Sequence, residues 1–372
     1  MNKFLNHQFF KNLGLLVFGA ICSFKIQAQV VDPNYTFSTS VRTYSPIIGG
    51  TVAAASNELT QVAWDATTIN AIPLGFTFTY NGTAYTNFSI CGDGFIAMGN
   101  TANQVTTPIS SIIGSNNVIS AFGRNLIGTH TFNGNITSGS AIITGISQTG
   151  GVEIGSRIFG TGITVGTTVL SKTVNSLTMS ANATSTTASA VCTQFKGEIR
   201  YQMIGSSPSR TMVVQWKNTR SFGVNNQNYN FQIRLNESNN SIDIVYGDCN
   251  FASVAASPGP QVGLRGNNNT DFNNRTTSVT NWNTTTAGLV SNATLAILGS
   301  TTAPVLGRTY TWTPPPPSSI DIKLNAFISP GISCGNALQT VTVQLKNEGL
   351  GTHNFVTNPT NITVNVKSEE RR

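Results

Sequence analysis

From Phe195 to Tyr246 apolar and polar residues alternate with a period of two, interrupted by short turns. Phe195, Ile199, Tyr201 and Met203 share one face of a first strand, and Lys196, Glu198, Arg200 and Gln202 the other. After Ser206 to Ser209, Met212, Val214 and Trp216 alternate with Thr211, Gln215 and Lys217; Tyr229, Phe231, Ile233 and Leu235 then alternate with Asn230, Gln232, Arg234 and Asn236. Ile242, Ile244 and Tyr246 return after a Glu237 to Ser241 turn. Such a pattern predicts an antiparallel sheet with one face on a second layer and the other in water.

The rest of the chain extends this reading to an all-β, antiparallel, jelly-roll-like β-sandwich. Leu74 to Tyr80 is followed by Asn81-Gly82, a strong hairpin signal, and by a return strand towards Phe88. Tyr35 to Tyr44 offers an opening strand and Arg308 to Thr313 a closing one. The expected sandwich occupies residues 30–133 plus 191–313, interrupted by an inserted β module at 134–190 whose short apolar runs are separated by glycines. A proline-rich linker covers 314–319, because Pro314 to Pro317 cannot continue a central strand.

The first 29 residues read differently, as an export signal. Lys3 and Lys11 precede an apolar run from Leu13, and Gln27-Ala28-Gln29 closes the segment. That run is too short for the roughly 20 residues a membrane span takes, so the mature chain is expected outside the cell or on its outer surface, without a membrane span. Loss of Lys3, Lys11 and Lys25 leaves a formal charge of +4, three below the +7 of the whole chain. So weak and dispersed a charge gives no reason to expect nucleic acid as a partner. Charged residues make up only 9%, yet a 39% hydrophobic content with 20 Phe supplies a core. Four cysteines remain after the signal, Cys91, Cys192, Cys249 and Cys334; they are candidates for disulfides whose pairing the spacing does not give.

Few residues suggest chemistry. His130 and His353 are the histidines outside the leader and fall in different domains, so no triad, metal site or cofactor is expected and the chain does not read as an enzyme. Glu237 and Asp243 flank one hairpin turn and are expected to solvate it rather than act as paired acids. Asp93, between two glycines, is read as a turn residue. Arg265 is expected to bond backbone carbonyls. Trp216 and Trp312 lie on apolar faces and belong to the core, whereas Trp64 and Trp282 stand in polar, loop-like contexts and are the candidate ligand-binding rings.

Several motifs taken in order carry a resemblance. Leu74 to Tyr85, Gly94 to Gly99, Val213 to Asn218, Phe231 to Glu237, Gln261 to Gly266 and Phe272 to Arg275 together resemble the N-terminal sandwich of large exported Bacteroidetes surface proteins, of the kind carried by type IX secretion. The inserted module resembles small β modules of bacterial surface and phage tail proteins. Residues 320–372 resemble the start of an immunoglobulin-like adhesion module but are too few for the roughly 100 residues of a complete one, so a fragmentary chain is expected. The resemblance implies a secreted or cell-surface, non-catalytic structural or adhesion protein with surface glycans or other surface proteins as partners. The alternative is a carbohydrate-binding module of a polysaccharide-degrading system.

Overall fold

The computed structural model describes residues 31–251, 259–277, 281–298, 302–316, 322–329 and 342–347. The predicted signal peptide, the remainder of the immunoglobulin-like segment and Cys334 lie outside the described residues. Apart from one helical turn, Val31–Asn34, every regular element described is a strand.

Two antiparallel sheets face each other. One runs in the order Thr36–Val41, Arg308–Thr313, Ile242–Tyr246, Gln227–Asn236, Thr211–Ser221, Glu198–Ile204, Thr51–Ala55. The other runs Thr286–Ala287, Phe272–Thr276, Gln261–Arg265, Val118–Gly123, Phe95–Met98, Thr83–Cys91, Thr68–Tyr80. The opening, closing and a middle strand of the sandwich meet in the first sheet, since Phe37 pairs with Trp312 and Ile242 with the same residue from the other side.

Alternating side chains from both sheets fill the space between them. Trp216 stacks on Phe231 with centroids 5.1 Å apart and planes at 17°, and Phe231 stacks on Phe122 of the opposite sheet at 5.5 Å and 16°. Polar tips of buried rings tie the layers together, as they must when an O–H or N–H leaves water. Trp216 Nε1 donates to Gly92 O at 3.1 Å and Tyr246 Oη to Ala121 O at 2.8 Å across the layers, while Tyr80 Oη donates to Arg265 O at 2.9 Å within the second sheet.

The outer face of the first sheet departs from the expected wet surface. Gln215 and Gln232 are fully buried there because the segment 42–50 crosses them. Ile47 N–H donates to Gln215 Oε1 at 2.9 Å, Gln215 Nε2 donates to Ile47 O at 3.3 Å, and Gln232 Nε2 donates to Ser45 O at 2.8 Å. The two glutamine amides stand in for a neighbouring strand and satisfy the backbone of an irregular strap. Gly50 at its end has φ +77°, and a Cβ there would lie 2.3 Å from Tyr201 O.

The long edge strand Thr68–Tyr80 is blunted rather than left open for pairing. Pro73 lacks an N–H, the register shifts twice, Arg210 donates to Gly75 O at 2.8 Å, and Thr79 N–H donates to Asn240 Oδ1 at 2.8 Å.

Within 134–190, Val169–Lys172, Leu177–Met179 and Ile142–Ile143 form their own three-stranded sheet. Ile136, Ile143, Ile158, Val169 and Leu177 share an apolar cluster with Phe132 and Cys192 from the ladder formed by His130–Ile136 and Thr187–Gln194. Separately, Ile322–Ser329 pairs with Thr342–Asn347 as an antiparallel hairpin.

Candidate functional site

Beyond the strap, the outer face of the first sheet opens into a groove of about 360 Å³ lined only by polar and charged residues. Its floor comes from strand alternation. Trp312 and Ile242 point into the core, so Thr311 and Asp243 point out. The walls are Arg42, where the strap leaves strand Thr36–Val41, and Arg210, where strand Thr211–Ser221 begins.

Every charge in the groove has a partner. Asp243, 5% exposed, accepts from Arg42 Nη1 at 3.0 Å, from Asn236 Nδ2 at 3.1 Å and from Thr311 Oγ1 at 2.5 Å. Glu237 holds Arg210 in a two-pronged pair, with Nε donating to Oε2 at 2.7 Å. That guanidinium keeps the Glu237 carboxyl below the usual range. Neither acid simply solvates the turn, as the sequence suggests; both are anchored, Asp243 because its strand lies between two others in the sheet. Ser38, Ser209, Ser238 and Thr313 line the same groove, and their hydroxyls have no partner among the described residues.

The remaining sequence candidates lie elsewhere. Trp282 is fully buried, packed edge-on against Tyr246 at 5.1 Å, with Nε1 donating to Ala296 O at 2.8 Å. Trp64 is 6% exposed and lies over Gly128, where a Cβ would come within 2.1 Å of its Nε1. Neither ring presents a face on which a ligand can stack, so Trp64 and Trp282 are core residues rather than ligand-binding rings. Their loop segments lack alternation, and only the tertiary fold shows that they close over the core. Trp216 and Trp312 are fully buried as expected.

Cys91, Cys192 and Cys249 are free thiols, and burial pushes each up to about 12. Arg265 does bond backbone carbonyls, donating through Nη1 to Pro108 O at 3.1 Å and Ser111 O at 2.6 Å. Asp93 stands in a turn, but its carboxyl ties that turn to a distant segment rather than capping it. Its Oδ1 accepts from Leu126 N–H at 3.0 Å, and burial pushes the carboxyl up to about 6. No group of three or more His, Cys, Asp or Glu able to hold a metal occurs among the described residues. No described helix is long and apolar enough to cross a membrane.

Arg42, Ser38, Thr311 and Thr313 were not singled out by sequence reasoning. The only available signal was the outward threonine pattern of Arg308–Thr313, which is common to many strands.

A family model described as NIDO related matches residues 34–148 and 159–314, running through most of the expected insert and omitting 149–158. No curated protein and no solved structure gives a match.

Proposed function

The chain belongs to the NIDO-related family, a β-rich extracellular domain type, and on that premise we propose that it is a secreted or cell-surface, non-catalytic structural or adhesion module. The observation that carries the reading is the state of two carboxylates, Asp243 in the groove and Glu237 behind its Arg210. Acid–base cleavage of a polysaccharide needs one carboxyl free to give up a proton and a second free to assist. Glu237 is held ionised by Arg210, and Asp243 spends its oxygens on Arg42, Asn236 and Thr311. What remains is a rigid polar contact surface on a sandwich.

The finer assignment, a type IX secretion cargo of a Bacteroidetes cell surface carrying a phage-tail-like inserted module, rests on the ordered sequence motifs. The test is adhesion without turnover. Beads coated with the purified protein should be retained on surface polysaccharide or on intact cells, with no new reducing ends or peptide fragments appearing in the supernatant. Time-dependent release of cleaved product would overturn it.

A further inference from the structure

We propose that the groove between Arg42 and Arg210 is a subsite for a neutral, hydroxyl-rich saccharide. The inference rests on the reading of this protein as a non-catalytic extracellular module and adds the ligand class and the residues that hold it.

Three properties of the groove select that class. All of its lining is polar, so neither a lipid chain nor an apolar peptide side chain would gain from entering it. Its charges cancel in pairs, Arg42 with Asp243 at 3.0 Å and Arg210 with Glu237 at 2.5 Å, so it presents no net field to a phosphate polymer or a polyuronide. Finally, Ser38, Ser209, Ser238 and Thr313 offer hydroxyls without partners among the described residues, each able to donate and accept, while Arg42, with 51% of its side chain exposed, keeps guanidinium N–H groups beyond the one given to Asp243.

A sugar carries neighbouring hydroxyls that are themselves both donor and acceptor, and matches this mixed lining at several points at once. Two of these partners, Ser38 and Thr313, stand on adjacent paired strands, opposite Thr311 and Thr36. The floor beneath them is held as well, since Thr311 lies opposite Asp243 in the ladder and donates to it, so little backbone freedom is lost on binding. The groove is open and without an aromatic platform, so binding is expected to be weak and fast, suited to many copies acting together on a surface.

The experiment titrates the whole protein with neutral gluco-, manno-, galacto- and xylo-oligosaccharides and, in parallel, with oligouronates, following chemical shifts or heat. Ser38→Ala with Thr313→Ala removes two hydroxyls that no bond among the described residues uses, and Ser238→Arg places a long cation in the groove mouth from an exposed turn. The expected result is saturable binding of at least one neutral oligosaccharide, weakened tenfold or more in both variants while the melting temperature stays within about 1 °C. Absence of neutral binding, preference for the oligouronates, or equal binding by the variants would overturn the saccharide subsite, yet leave the adhesion reading standing if cell or protein adhesion persists. Reducing ends that accumulate during the titration would instead overturn the non-catalytic reading itself.

Discussion

Two buried ionisable side chains set opposite pH dependences on this fold. Asp93 is 1% exposed, and burial, with a smaller contribution from Asp65, raises its carboxyl from 3.8 to about 6. The folded state therefore holds a proton that the unfolded chain has released, and stability is lost as pH rises from about 4 to 6, by about 3 kcal/mol at about 1.4 kcal/mol per pH unit. His130, 2% exposed, is lowered from 6.5 to about 4 by burial, reinforced by Lys172 and Arg220 and opposed by its bond to Gln227 O and by Glu153. Here the unfolded chain binds the extra proton, so stability grows as pH rises from about 4 to 6.5, again by about 3 kcal/mol. Across pH 4 to 6 the two contributions nearly cancel. Urea unfolding at pH 4, 5, 6 and 7 should therefore show Asp93→Asn gaining stability with pH and His130→Gln losing it, with the parent flatter than either. Parallel curves for all three proteins would show that these groups do not set the dependence.

At the scale of elements, the strap 42–50 depends on side chains of the sheet it crosses. Gln215→Ala leaves the Ile47 N–H and C=O without partners on a buried surface, at a cost of about 1–3 kcal/mol. The Ile47 amide should exchange with solvent at least tenfold faster in that variant, and unchanged protection would mean that the strap is held by other contacts. Trp216→Ala acts on the shared core instead, removing a fully buried ring stacked on Phe231, and is expected to cost about 3–5 kcal/mol in the same unfolding measurement. This contrast also marks what the sequence could reveal. Trp216, Phe231, Ile244 and Trp312 were legible because one face of each strand enters a core and so imposes a period of two. Gln215 and Gln232 were not, because they are covered by a strap that has no period and reaches them from a distant part of the chain. The groove was illegible for a related reason. Ser38, Arg42, Asp243 and Thr311 meet only because the opening strand pairs with the closing one, and each looks like an ordinary solvated position where it stands in the sequence.

For the molecule as a whole, the open question is whether residues 134–190 are a passenger on the sandwich or part of its support. Their own sheet and apolar cluster argue for the first, and loop closure depends so weakly on length that removing them changes chain entropy by only about 0.6 kcal/mol per halving. The polar ties argue that removal will still be felt. Glu153 accepts from Lys217 Nζ at 2.9 Å and from Asn218 Nδ2 at 2.7 Å, and Arg157 N–H donates to Glu58 at 3.2 Å; Glu153 and Arg157 both lie in the stretch 149–158 that the family pattern omits. Phe132 and Cys192 would also lose the cluster that covers them. Replacing Gly134 to Ala190 by a short glycine linker should therefore leave a single cooperative melt at a lower temperature. Glu153→Gln in the full chain should reproduce only a minor part of the drop, since Lys217 is 41% exposed and a pair so open to water contributes less than about 1 kcal/mol. Adding Phe132→Thr to the deletion should recover part of the loss by removing a stranded apolar ring. A broad, non-cooperative transition in the deletion protein would show that the module is a structural member of the sandwich, and that the family fold in this chain cannot be completed without it.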